Sequence, residues 1–148
     1  MLKEITIING PNLNLLGQRE PKLYGNESME KYITVLKNKY FLSNCKLDYM
    51  QSNHEGTLID FLHKKSTISI GIVLNAGAYT HTSLALADAI RAIHIPVVEV
   101  HLTNVYSREE IRHRSLISAV CKGSIFGFGL KSYDLAIMSL LYEFPIVH

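Results

Sequence analysis

A chain of 148 residues suits one domain with a well-buried core and leaves little room for a second. Apolar residues make up 47% and charged residues 19%, which excludes a disordered or low-complexity chain. With 15 Lys and Arg against 13 Asp and Glu, the net charge of +2 is too even to point to nucleic acid. No apolar run approaches the ~20 residues of a membrane span. The opening Met1-Leu2-Lys3-Glu4 lacks a charged-then-apolar secretory pattern, so a cytoplasmic location is expected. Cys45 and Cys121 follow no metal or redox spacing and are expected to be reduced thiols.

Residues 2–9 (LKEITIIN) read as the first strand. Residues 10–25 then form a connection of sixteen residues, well beyond the usual βα loop. Met29, Tyr32, Ile33, Leu36 and Tyr40 recur at helical spacing. Residues 47–51 give the second strand, and Ser52-x-x-Glu55 is a capping box that predicts a helix through Leu62. Residues 68–75 (ISIGIVLN) form the third strand, and the Ala/Leu-rich helix over 82–94 stops before Pro96. Residues 97–102 (VVEVHL) form the fourth strand, after which a second box, Ser107-x-x-Glu110, predicts another helix. Residues 124–128 and 132–142 complete the pattern as a strand and a helix that is apolar nearly all round. Several strands are apolar at consecutive positions, as expected when both faces are covered. The alternation predicts an α/β three-layer sandwich with a five-stranded parallel sheet, in the flavodoxin-like order 2-1-3-4-5, as a single domain over 1–148.

Open α/β sheets bind ligands outside the carboxyl ends of their strands. The polar residues hardest to explain as packing fall there: Asn9 and Asn12 after strand one, Asn53 and His54 after strand two, Asn75 and His81 after strand three, and Glu99, His101, Thr103 and Asn104 around the end of strand four. This convergence argues for a polar small-molecule site. The long connection adds Arg19 and Tyr24 between Gly17 and Gly25, and reads either as a lid with glycine hinges or as a surface loop whose tyrosine packs on its neighbours. Glu99 and His101 share a strand face, either as a carboxylate that fixes an acid's imidazole or as a buried structural pair. Arg108 and Arg112 open the expected fourth helix, either facing the site or on a solvated face.

His54, His81, His101 and His113 have no short-range pairing with one another or with Cys, so no metal is expected. Asn9 and Asn75 stand where a phosphoacceptor response regulator needs acids, and residues 10–16 contain no Ser or Thr for a flavin phosphate loop. A non-catalytic binding module for a polyhydroxylated carboxylate such as quinate would keep Asn75, His81 and Arg112 but could dispense with Tyr24 and Arg19. A purely structural oligomer former leaves the strand-end Asn and His residues without a purpose.

Residues 9–25 (NGPNLNLLGQREPKLYG), 51–56 (QSNHEG), 74–83 (LNAGAYTHTS), 99–102 (EVHL) and the pair Arg112-His113 resemble the signature of the type II 3-dehydroquinate dehydratases, in order and over nearly the whole chain. The resemblance implies dehydration of 3-dehydroquinate to 3-dehydroshikimate in the shikimate pathway, by anti elimination through an enolate, with no cofactor and no Schiff base. It also implies a flavodoxin-like fold and a dodecamer of four trimers. Carried onto matching positions, Tyr24 as phenolate is the base, with Arg19 and Arg108 stabilising its charge. Asn12 orients a water at the enolate oxygen, and His101 protonates the leaving hydroxyl while Glu99 holds its ring. Asn75 and the backbone N–H groups of Leu102 and Thr103 hold the substrate carboxylate, His81 and Arg112 bind ring hydroxyls, and Asp88 serves a neighbouring subunit's site. A tyrosine ionises near pH 10, so a phenolate at neutral pH needs about 3–4 kcal/mol of differential stabilisation. Two departures stand out. Thr103 replaces the commoner Ser, which keeps the N–H, and Ser132-Tyr133 stands where Gly-Tyr is commoner, which is expected to affect only local packing.

Overall fold

Strands that carry Ile, Val and Leu at successive positions have no face to offer water, and in this chain they pair into one parallel sheet covered on both sides. The computed structural model describes residues 1–17 and 27–142. The strands are β1 (Lys3–Asn9), β2 (Cys45–Gln51), β3 (Gly71–Asn75), β4 (Val97–His101) and β5 (Gly123–Phe126). The described helices are α1 (Met29–Phe41), α2 (Glu55–Lys65), α3 (Leu84–Ala92) and α4 (Lys131–Leu141). The sheet runs β2-β1-β3-β4-β5, the order expected from the sequence.

Strand alternation divides the core in two. Ile5, Ile7, Val73, Val98 and Val100 point to one face and pack under α1 (Met29, Ile33, Leu36, Tyr40) and α4 (Tyr133, Ala136, Ile137). Ile8, Ile72, Leu74 and Val97 point to the other and pack under α2 (Leu58, Leu62) and α3 (Leu86, Ala87, Ile90). Burying each large aliphatic side chain stabilises the fold by roughly 1.5–3 kcal/mol relative to leaving it exposed.

Two helix expectations need correction. The helix predicted from Ser107 is absent: three short 3-10 turns, Val105–Ser107, Glu110–Arg112 and Ser118–Val120, occupy the β4–β5 connection. Ser107 does not cap; its hydroxyl donates back to the Asn104 carbonyl at 2.7 Å. The segment also lacks an apolar stripe to pack, since Ile111 is exposed and Ile117 alone is buried. The second correction is smaller. Ser52 accepts from the His54 N–H at 3.0 Å, a local turn, so α2 starts at Glu55 with no capping side chain. Genuine caps occur at Ser28 and Ser83, whose hydroxyls accept from Lys31 and Leu86 N–H groups.

The two edges of the sheet treat their charges differently. At the amino edge, Lys65 is buried against Glu4 and Asp48, so its charge is spent on structure. At the carboxyl edge, the register sets Asn9 level with both Gln51 and Asn75, so three strands end together. Gly10 lets two of these exits converge, because a Cβ there would lie 2.5 Å from the Ala76 carbonyl oxygen. The chain then turns at Gly77 with φ of +59°, a conformation that favours glycine.

Candidate active site

The turns after β1, β3 and β4 line one open cleft at the carboxyl edge of the sheet. Asn12, Asn75, His81, His101, Leu102, Thr103, Arg108 and Arg112 all line it. Eight of the expected site residues are therefore brought together, although they come from four separate stretches of the chain. Arg19 and Tyr24 lie outside the described residues. Asp88 does not line this cleft. It sits on α3 with its side chain 75% exposed and pairs with Arg91 at 3.1 Å.

Glu99 and His101 project from β4 on the face shared with α3, as the two-residue spacing requires. Glu99 Oε2 accepts from His101 Nε2 at 2.7 Å and from the Ser115 hydroxyl at 2.8 Å. Its Oε1 accepts from Ser124 at 2.8 Å and from Ser118. Burial pushes this carboxyl's pKa up, but the hydrogen bonds from His101, Ser118 and Ser124 and the nearby imidazole outweigh it and hold the pKa at about 2. An ionised carboxylate can only accept, so His101 carries its proton on Nε2. Nδ1 of the same ring has no hydrogen-bond partner among the described residues and is the nitrogen left for exchange with a ligand.

His81 is fixed in the same way. Its Nδ1 donates to the Arg114 carbonyl at 2.8 Å, its Nε2 has no hydrogen-bond partner among the described residues, and its ring stacks on His101 with centroids 6.2 Å apart. Glu109 spaces the two arginines: Oε2 accepts from Arg112 Nε at 3.1 Å and Oε1 from Arg108 Nε at 3.4 Å. Arg108 also donates to the Thr103 hydroxyl at 3.4 Å, so Thr103 contributes more than the backbone N–H expected of it. The N–H groups of Leu102 and Thr103 donate to no side chain or loop carbonyl among the described residues. Asn12 adopts a left-handed φ of 67°, and its N–H donates to Asn53 Oδ1 at 3.0 Å.

Asn75 is buried at the cleft wall. Its Oδ1 accepts from Gly77 N–H at 3.2 Å, and its Nδ2 donates to the Tyr133 hydroxyl at 2.9 Å. Tyr133, Ser115, Ser118, Ser124, Glu109 and Asn53 are the supporting residues that sequence reasoning did not assign. Asn53 was visible as a strand-end amide. The serines carry no periodic signal, and Tyr133 looks like an ordinary core aromatic.

The acid sensitivity of Glu99 has a definite sign. A carboxyl whose folded pKa is about 2, against an ordinary 4.5, contributes stability that is present above pH 4.5 and lost as pH falls toward 2. That contribution is worth about 3 kcal/mol. Urea unfolding of Glu99→Gln is therefore expected to show a shallower loss of stability than wild type between pH 4.5 and 2. Equal slopes would remove Glu99 from the groups responsible.

A parallel sheet in this order, with a carboxylate–imidazole pair, two arginines and convergent amides at its carboxyl edge, defines a flavodoxin-like α/β protein built around a polar small-molecule site. Residues 3–141 match the family described as Dehydroquinase class II, and the chain belongs to that family. A 3-dehydroquinate dehydratase of Rhizobium johnstonii is 51% identical over 140 residues, covering 95% of this chain and 97% of its own length. The solved type II dehydroquinase of Butyrivibrio crossotus superposes with a TM-score of 0.92 at 45% identity, covering 95% of this chain and 98% of that one. That of Propionibacterium acnes gives a TM-score of 0.90 at 36% identity, with 95% and 97% covered.

Proposed function

We propose that this chain is a 3-dehydroquinate dehydratase of the type II class, a hydro-lyase of the shikimate pathway that acts as one catalytic domain over residues 1–148. The observation that carries the reading is the Glu99–His101 pair, whose second ring nitrogen has no hydrogen-bond partner among the described residues, beside a cleft lined by amides and arginines. In the reaction, the Tyr24 phenolate takes the proton alpha to the ketone, and the C–H electron pair becomes the enolate. Arg19 and Arg108 stabilise the phenolate, and Asn12 orients a water against the enolate oxygen. The enolate then collapses, expelling the hydroxyl on the opposite face as His101, entering this step as the imidazolium, gives it the Nδ1 proton, so that water and a conjugated enone leave. Glu99 holds the ring throughout.

The substrate carboxylate is bound by Asn75 and the N–H groups of Leu102 and Thr103, and the ring hydroxyls by His81 and Arg112. Asp88 completes the site of a neighbouring subunit within a trimer, four of which make a dodecamer. Its exposed position on α3, away from its own cleft, supports that role. The enzyme works in the cytoplasm. Among the described residues no helix is long and apolar enough to cross a membrane.

The test is to mix purified protein with 3-dehydroquinate and follow the ultraviolet absorbance of the enone. Product formation that survives borohydride treatment in the presence of substrate is expected, because no imine forms. Folded protein that yields no absorbance change would overturn the activity, and inactivation by borohydride would overturn the enolate route. The quinate-binding module, by contrast, would bind ligand and produce no enone.

A further inference from the structure

We propose that Tyr133 is a positioning residue that sets the orientation of the Asn75 amide and thereby the affinity for the substrate's carboxylate, an inference that rests on Asn75 as a carboxylate ligand. Asn9 and Asn75 are register partners at the ends of β1 and β3, on the face covered by α4. Tyr133, in the first turn of α4, is fully buried with its hydroxyl between them.

The polarity of this chain of hydrogen bonds has one solution. Gly77 N–H can only donate, so the Asn75 atom it meets is the oxygen. The Asn75 nitrogen therefore faces Tyr133 and donates to it at 2.9 Å. Having accepted that bond, the phenol gives its single proton to Asn9 Oδ1 at 2.7 Å. The Asn9 nitrogen is thereby directed to the Tyr49 hydroxyl, 3.3 Å away. Of the two Asn75 N–H bonds, one is committed to Tyr133, and the other has no partner among the described residues. Burial drives the Tyr133 phenol well above its ordinary pKa, so it remains neutral and keeps the donor the chain requires. Without that hydroxyl, the Asn75 nitrogen loses its anchor, Asn9 loses its donor, and the amide is free to rotate away from the carboxylate.

The experiment measures kcat and KM for 3-dehydroquinate in Tyr133→Phe, Asn75→Ala and the double variant. Tyr133→Phe is expected to raise KM about tenfold while changing kcat much less, since a hydrogen bond to a charged group is being misaligned. In the Asn75→Ala background the same change should have no further effect on KM. Tyr40→Phe removes another buried phenol, on α1 and outside the cleft, and is expected to lower the thermal midpoint without moving KM. If Asn75→Ala raises KM but Tyr133→Phe does not, or if the two effects simply add, the positioning role is overturned. If Asn75→Ala leaves KM unchanged, the carboxylate assignment of Asn75 fails instead. Should Tyr133→Phe not fold, Asn9→Ala decides, because it frees the phenol proton and should raise KM in the same direction; an unchanged KM rejects the proposal.

Discussion

His101→Ala is expected to lower kcat by about 10³-fold while leaving KM for 3-dehydroquinate close to wild type. On the proposed mechanism its imidazole delivers a proton to a leaving group and contributes little to holding the substrate, a task assigned there to the amides, His81 and Arg112. The variant also takes one hydrogen bond from Glu99, but Ser115, Ser118 and Ser124 remain to hold that carboxylate, so the fold should persist. A second measurement separates an acid from a structural residue. Proton abstraction precedes departure of the hydroxyl, so His101→Ala in deuterated water should still exchange the substrate's alpha proton. Loss of exchange together with turnover, in folded protein, would move His101 out of the acid role.

Tyr24→Phe is expected to cost about 10³- to 10⁴-fold in kcat, and unlike the first variant it should abolish alpha-proton exchange as well. The contrast follows from the order of steps, because nothing downstream proceeds without the enolate. Tyr24 and Arg19 lie outside the described residues, so this prediction stands on chemistry and on the match of residues 9–25 to the family. The requirement of about 3–4 kcal/mol to hold a phenolate near neutral pH is within reach of one or two close guanidinium groups. Turnover of Tyr24→Phe within tenfold of wild type would reassign the base.

Much of the fold was legible because strand and helix periods dominate it. The consecutive apolar positions of β1, β3 and β4 announced a sheet covered on both faces, and Met29, Ile33, Leu36 and Tyr40 marked the buried stripe of α1. The failures share a cause. Ser52 and Ser107 present the spacing of a capping box, yet a serine hydroxyl can equally serve a local turn, and only packing decides which. After Ser107 there was no apolar stripe to pull a helix onto the sheet, so turns prevailed and left Ser115 and Ser118 free to reach Glu99. The site followed the same rule: strand-end amides and the Glu99-x-His101 spacing were visible, whereas the partners of Glu99 and Asn75 were not. Tyr133 reads in the sequence as an ordinary core aromatic, yet its hydroxyl reaches from the last helix to the cleft wall. That contact joins residues 58 positions apart, and no local pattern encodes it.

The division of the core into two faces gives this cleft two independent foundations. Asn75, Asn9 and Tyr133 rest on the layer beneath α1 and α4, whereas Glu99 and His101 rise from the side covered by α2 and α3. Dense packing transmits a shift to its own neighbours first. Substitutions among Ile33, Leu36 or Ile137 are therefore expected to reach Asn75 and Tyr133 first, and those among Leu62, Leu86 or Ile90 to reach Glu99 and His101 first. Two walls of one cleft are thus addressable separately, from hydrophobic positions outside its lining.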